Sequence, residues 1–210
     1  MKKVLILGDS YSTFEGYIPE GYDIYYHSKG QNGSDVTRVE QTWWHLLATE
    51  TGSEIVLNNS WSGSPISFKG YHDSDCSRSA SFIYRLEELL EQDFFKQNNV
   101  DAFFIFGGTN DNWIGTPLGK EQYDSFDRDD FYTVLPSICY LFKIASEALP
   151  NVKIYCIVNT GLQNEIVDCF KNAGERYGVK VIELRDIDKI GGHPSAKGMV
   201  QIKEQVLENL

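Results

Sequence analysis

Five short apolar runs recur along the chain, at residues 3–7, 54–57, 101–106, 153–158 and 180–183. Each is rich in Val, Ile or Phe, is bounded by Gly, Asn or Asp, and lacks polar alternation, which predicts strands buried on both faces, as in a parallel sheet. Between them the apolar residues switch to helical spacing. Residues 41–51 read as a helix closed by Gly52, and residues 79–95 carry Phe82, Ile83, Leu86, Leu89 and Leu90 on one stripe. A helix over 129–149 is expected to kink at Pro136, another over 162–177 to stop at Gly178, and a last one to run from 195 to 210. Strands alternating with helices through right-handed crossovers predict an α/β fold, a three-layer sandwich around a mainly parallel five-stranded sheet. No repeat, low-complexity tract or Pro/Ser-rich linker interrupts the pattern, so residues 1–210 are expected to form a single domain.

Two stretches are longer than ordinary connections. Residues 11–40 hold Tyr11, Tyr17, Tyr22, Tyr25 and Tyr26, and residues 61–78 are rich in Ser, Gly and Asp. Loops of this length inside a compact domain usually serve as lids or binding loops.

Composition narrows the partners. A net charge of -11 repels phosphate backbones and anionic membrane, which argues against nucleic acid and a membrane surface. Aromatic residues make up 13% of the chain, far from the aromatic-poor make-up of disordered acidic proteins. The apolar run after Lys2 and Lys3 is too short for a signal peptide, and no stretch approaches the roughly 18 apolar residues of a membrane span. Cys76, Cys139, Cys156 and Cys169 have no metal-like spacing, and reduced thiols in a cytoplasmic protein are expected.

In open α/β sheets ligands bind beyond the carboxyl ends of the strands. Here those ends carry Gly8-Asp9-Ser10, then Asn58 to Gly63, then Gly107-Gly108-Thr109-Asn110-Asp111, and finally Gly191-Gly192-His193-Pro194-Ser195. A serine hydroxyl becomes a nucleophile when a base takes its proton, and histidine titrates nearest neutral pH. Preorganised donors facing the oxyanion of the tetrahedral intermediate contribute about 3 to 4 kcal/mol each. The Ser10 N–H, the Gly63 N–H and the Asn110 amide can supply them, so the set suits acyl transfer.

The blocks GDS at 8–10, NSWSG ending at Gly63, GGTND at 107–111 and GHPS at 192–195 resemble, in order and spacing, the four blocks of the SGNH (GDSL-type) hydrolase family. The resemblance spans nearly the whole chain. It implies a flavodoxin-like fold and ester hydrolysis without metal or other cofactor. It also implies Ser10 as nucleophile, His193 as base, and Ser10, Gly63 and Asn110 as the oxyanion hole.

One position departs from the family pattern. The aspartate usually found three residues before the histidine is Ile190 here. Asp188 is the first candidate to orient His193, with Asp186 and a backbone carbonyl as alternatives. An orienter matters because a helix N-terminus beside His193 disfavours the imidazolium. On this reading Asp188→Asn cuts kcat strongly and Asp186→Asn does not.

The remaining candidates divide by chemistry. Tyr11, Trp61 and Trp113 offer flat faces with polar tips and are expected to line a substrate pocket, whereas Trp43 and Trp44 read as core anchors. Asp9 and Asp111 are expected to hold loops in shape, and Asp124, Asp127, Asp129 and Asp130 to form a solvated helix start. His27, His45 and His72 lack metal-ligand spacing. With no GxGxxG or GxxxxGK[ST] after the first strand, a nucleotide-binding domain is disfavoured. The expected function is a serine esterase that removes a small acyl group, acetyl first, from a carbohydrate or other small polar alcohol. A lipase or acyl-thioesterase of the same fold, or an inactive binding protein, are the alternatives.

Overall fold

The computed structural model describes residues 2–30 and 33–210; Met1, and Gln31 and Asn32 within the 11–40 stretch, lie outside the described residues. Strands β1 (Lys3–Gly8), β2 (Glu54–Ser60), β3 (Ala102–Phe106), β4 (Lys153–Val158) and β5 (Lys180–Glu183) form one sheet in the order β2-β1-β3-β4-β5. Every pairing in it is parallel. Successive side chains on a strand point to opposite faces, so each strand must feed two cores. Leu5, Leu7, Phe103, Ile105, Cys156 and Val158 pack against helices α2 (Phe82–Glu91), α5 (Val134–Ala148) and α6 (Asn164–Tyr177). Val4, Ile6, Phe104, Phe106 and Ile157 pack against α1 (Trp43–Thr51) and α7 (Ala196–Leu207). The uninterrupted apolar runs are thus the signature of a sheet covered on both sides. Trp43 and Trp44 anchor the second core, their indole N–H groups donating to Ser12 Oγ at 3.1 Å and Ser12 O at 2.9 Å.

Several elements differ from the expectation, each for a local reason. Strand β2 continues through Asn58, Asn59 and Ser60 because their polar groups are satisfied inside the fold; Asn58 Nδ2 donates to Ser12 O and Ser60 Oγ to Asn58 Oδ1. The helix expected over 79–95 stops at Glu91, and a separate turn, α3 (Phe94–Gln97), follows Asp93, whose φ of 53° is left-handed. No kink occurs at Pro136. The chain breaks earlier, at the extended Thr133, so the proline falls in the first turn of α5, where its missing N–H is harmless. Helix α4 (Thr109–Ile114), expected as loop, starts after Gly108 at φ 89°.

The last unexpected element carries the histidine. Strands β6 (Lys189–Ile190) and β7 (His193–Pro194) form an antiparallel hairpin joined by Gly191 and Gly192, with φ of 57° and 84°. Two consecutive positive φ values are what a two-residue hairpin turn requires, and glycine adopts them without a Cβ clash. The order 2-1-3-4-5 places a topological switch between β1 and β3, and the hairpin lies at that edge.

Candidate active site

Ser10 opens a short 3₁₀ turn, Ser10–Ser12, directly after β1. Asp9 caps it, Oδ1 accepting from the Tyr11 N–H at 3.0 Å. His193 reaches across from the hairpin, and its Nε2 lies 2.9 Å from Ser10 Oγ. Burial, with a further push from the Lys189 ammonium and some opposition from the Gly191 carbonyl, lowers the imidazole pKa to about 4. At neutral pH the ring is therefore uncharged and its Nε2 can accept the Ser10 proton.

The imidazole is walled by aromatic rings. Tyr25 lies parallel to it, 3.5 Å between centroids and 8° between planes, while Tyr11 and Trp113 approach at 5.2 Å and 5.6 Å. The second ring nitrogen, Nδ1, faces the Gly191 carbonyl at 3.5 Å, the outer limit of a hydrogen bond.

Asp188 does not meet this ring. Its carboxylate accepts from Ser195 Oγ, and Ser195 in turn caps α7 by accepting from the Gly198 N–H at 3.1 Å. Asp186 is exposed, in a left-handed backbone conformation. Of the Asp188 and Asp186 carboxylates and the backbone carbonyl of Gly191, the carbonyl lies nearest Nδ1.

The loops after β2 and β3 bring Gly63 and Asn110 to the same edge. Asn110 is buried; its Nδ2 donates to Ser64 O at 3.0 Å and its Oδ1 accepts from Tyr71 O–H at 3.0 Å. Gly63 sits at φ 79°, and a Cβ there would stand 4.0 Å from a carbon of the Tyr71 ring. Asp111 holds the 61–78 loop by accepting from the N–H groups of Ile66 and Ser67.

Of the three expected substrate-lining rings, Trp113 is exposed beside His193. Trp61 stacks on Tyr22 at 4.1 Å and donates to Asp23, tying the two long loops together. Tyr11 is wholly buried, which leaves it no surface for a substrate. Its hydroxyl donates to Gly192 O at 2.6 Å and accepts from Asn159 Nδ2, so it braces the hairpin, as Tyr26 does through Pro194 O.

Three residues at the site lay outside the sequence reading. Lys189 donates to Asn159 Oδ1 and Thr160 Oγ1, and its ammonium lies 5.7 Å from the Tyr11 ring. Tyr71 orients the Asn110 amide. Arg85 is fully buried, donating to the carbonyls of Gly8, Asn59 and Ala80, to Asn59 Oδ1 and to Ser64 Oγ. Burial lowers its pKa to about 10, so it remains charged. Its position between Phe82 and Leu89, inside the apolar stripe of α2, was the signal available for it. Among the described residues, no three His, Cys, Asp or Glu side chains are grouped as a metal ion would need.

A 2-1-3-4-5 parallel sheet between two helix layers, with a serine after β1 and a histidine at its carboxyl edge, has the architecture of the SGNH hydrolases. The family model of the GDSL-like lipases/acylhydrolases matches residues 2–210, and the chain belongs to that family of ester-hydrolysing enzymes. It is similar to the crystal structure of a GDSL-like lipase from Bacteroides ovatus, at 42% identity and a TM-score of 0.92 over 100% of this chain and 97% of the other. A second GDSL-like lipase, from Bacteroides uniformis, matches at 41% identity and 0.90 over 100% and 95%. An acetyl xylan esterase from Butyrivibrio proteoclasticus shares the fold at 16% identity, with a TM-score of 0.64 over 100% of this chain and 63% of that one. No protein of curated function matches the chain in sequence. Among the described residues no helix is long and apolar enough to cross a membrane.

Proposed function

We propose that this protein, acting as one domain, is a serine esterase that removes a small acyl group, acetyl first among them, from a carbohydrate or similarly polar alcohol. The observation that carries this reading is the 2.9 Å approach of His193 Nε2 to Ser10 Oγ at the carboxyl edge of the sheet. Ser10 Oγ attacks the ester carbon as its proton passes to Nε2, and the carbonyl electron pair moves onto oxygen. The Ser10 and Gly63 N–H groups and the second hydrogen of Asn110 Nδ2 receive that oxyanion. Collapse breaks the bond to the alcohol oxygen, which takes the proton from His193. Water then repeats the sequence on the acyl-Ser10 ester. The Gly191 carbonyl, rather than Asp188 or Asp186, orients Nδ1 in this scheme.

The acyl and alcohol assignments rest on the surroundings of the pair. Tyr25 and Trp113 crowd the imidazole, which favours a short acyl group. Exposed Trp113 and Tyr71 offer the flat, polar-tipped faces that suit a sugar ring. The likeness to an acetyl xylan esterase carries the fold alone.

The test is hydrolysis of p-nitrophenyl acetate by the protein and by Ser10→Ala, with fluorophosphonate labelling followed by intact mass. Ser10-dependent turnover and a single adduct on Ser10 are expected; a protein that takes no label is not a serine esterase. Turnover that rises with p-nitrophenyl chain length would favour a lipase or thioesterase, and acetate release from acetylated oligosaccharides would support the sugar ester.

A further inference from the structure

The base of this site has an orienting problem that its geometry must solve. Proton transfer from Ser10 turns His193 into an imidazolium, a cation formed in a half-buried place. No carboxylate is hydrogen-bonded to Nδ1 among the described residues, since Asp188 is engaged by Ser195. The Gly191 carbonyl stands at 3.5 Å, and the Lys189 cation acts on the ring and repels the imidazolium.

What the ring does have is Tyr25, laid face to face on it. The backbone of that residue is itself held relative to the nucleophile. The Tyr25 N–H donates to Thr13 Oγ1 at 3.0 Å, and the Thr13 hydroxyl donates to Ser10 O at 3.0 Å. The Thr13 hydroxyl therefore links the backbone of the stacking residue to that of the nucleophile, across a separation of fifteen residues or fewer in the chain. Tyr25 also meets Tyr26 edge-on, 4.9 Å between centroids, and Tyr26 O–H holds Pro194 O, the residue after the histidine. The backbone of the stacking residue is thus tied to the nucleophile turn, and the hairpin that bears the stacked ring is tied to the next residue, Tyr26.

We propose that Tyr25 is a positioning residue of this site beside the Gly191 carbonyl, its π-face holding the His193 ring against Ser10 and stabilising the imidazolium of the transition state where related enzymes would use a carboxylate. The physical basis is the negative face of the aromatic quadrupole, which attracts a cation stacked on it and attracts it more strongly where water is excluded. The phenol hydroxyl has no part in this, so Tyr25→Phe retains the function. The other titratable groups around the imidazole are Lys189 on the paired strand, the Tyr11 phenol on the nucleophile turn, and Asp9, next in the chain to Ser10. This inference rests on the esterase reading for its catalytic consequence, and on the stacked geometry alone for its electrostatic one.

The experiment replaces Tyr25 by phenylalanine and then by its mono-, tri- and pentafluoro forms, which withdraw charge from the π-face while leaving its outline almost unchanged. Thermal midpoints across the series confirm folding, and Tyr25→Leu supplies an apolar cover without a π-face. Two readouts are taken. In the first, kcat for p-nitrophenyl acetate falls stepwise with fluorination, by roughly tenfold from phenylalanine to the pentafluoro form, with KM unchanged. In the second, the ratio of protonated to neutral His193 near about pH 5, read from imidazole ¹⁵N shifts assigned with His193→Gln, falls by the same factor of roughly ten. A protonation ratio that stays flat across the series overturns the proposal whatever the activity does. Loss of Ser10 labelling and turnover in the unmodified protein would overturn the esterase reading instead, and the protonation ratio would still decide for or against Tyr25. A purely steric ring would move neither readout, because fluorination scarcely alters its shape.

Discussion

His193 takes its character from its neighbours. An exposed histidine loses half its charge near pH 6.5, but burial and the Lys189 ammonium hold this one to about 4. The neutral form, which the proposed mechanism needs, is therefore present from alkaline pH down to that value. The acid limb of kcat/KM for p-nitrophenyl acetate is expected near about pH 4 to 5, well below an ordinary imidazole limb. Since the ammonium lowers the imidazole pKa, Lys189→Met should move that limb to higher pH; a limb that stays put or moves down would contradict the electrostatic account. Asn110 is the second residue whose partner matters. Tyr71→Phe leaves its Oδ1 without the phenol donor, and kcat is expected to drop about two- to tenfold with KM little changed, the size of one neutral hydrogen bond. Tyr71 lies 39 residues from Asn110, and Lys189, though four residues from His193, acts on it only through the folded hairpin, which is why the sequence reading found His193 and Asn110 without finding what tunes them.

At the level of elements, the strand-end loops and the β6–β7 hairpin are held by different means, and substitutions should separate them. The carboxylate of Asp188 serves the start of α7 through Ser195. Asp188→Ala is accordingly expected to cost about 1 kcal/mol in denaturant unfolding, as cap losses do, while kcat changes by less than about threefold. A hundredfold loss of kcat without destabilisation would restore Asp188 as the orienter of the base. Arg85 ties the ends of β1 and β2 to the 61–78 loop from inside α2. Arg85→Leu strips donors from the carbonyls of Gly8, Asn59 and Ala80, so unfolding free energy should fall by about 3 kcal/mol or more. The elements that carried an uninterrupted apolar or 3.6-residue pattern were legible from the sequence. Those set by conformation were harder to read. The break at Asp93 rests on a left-handed backbone at a non-glycine residue, and the short helix after Gly108 and the polar end of β2 depend on tertiary hydrogen bonds that cancel local preference. The hairpin did have a local sign, Gly191-Gly192 between two pairs of strand-compatible residues, and its meaning is the pair of positive φ values such a turn demands.

Across the whole molecule, the sheet's two cores leave few charges inside, and Asp9 is one of them. It is buried beside Ser10, its Oδ2 has no hydrogen-bond partner among the described residues, and desolvation raises its pKa to about 7. The folded state then holds a proton that the unfolded chain releases near 3.8. Its stabilising contribution is complete below that lower value and is lost as pH rises through about 7, at no more than about 1.4 kcal/mol per pH unit. Asp9→Asn should flatten the fall in unfolding free energy between about pH 4 and 7; an unchanged slope would show that the carboxyl stays ionised there. The overall architecture was legible because parallel strands covered on both faces leave a strong pattern. The candidate site was legible as far as residues adjacent to strand ends, Ser10, Gly63, Asn110 and His193. It stopped being legible where partners come from far away, as with Tyr25 and Arg85, or where the aspartate close to the histidine in sequence is engaged by Ser195 instead.

Ser10 and His193 meet across a separation of 183 residues, and the hairpin bearing the histidine is fastened by hydroxyls from Tyr11 and Tyr26 near the other end of the chain. Contacts of such long range are among the slowest to form in a folding chain. During synthesis on a ribosome the proposed nucleophile would emerge long before its proposed base, and on that reading the protein would stay chemically silent until the hairpin had cleared the exit tunnel and docked. Recovery of esterase activity would then serve as a clock for the last step of maturation, lagging behind any signal from the sheet itself.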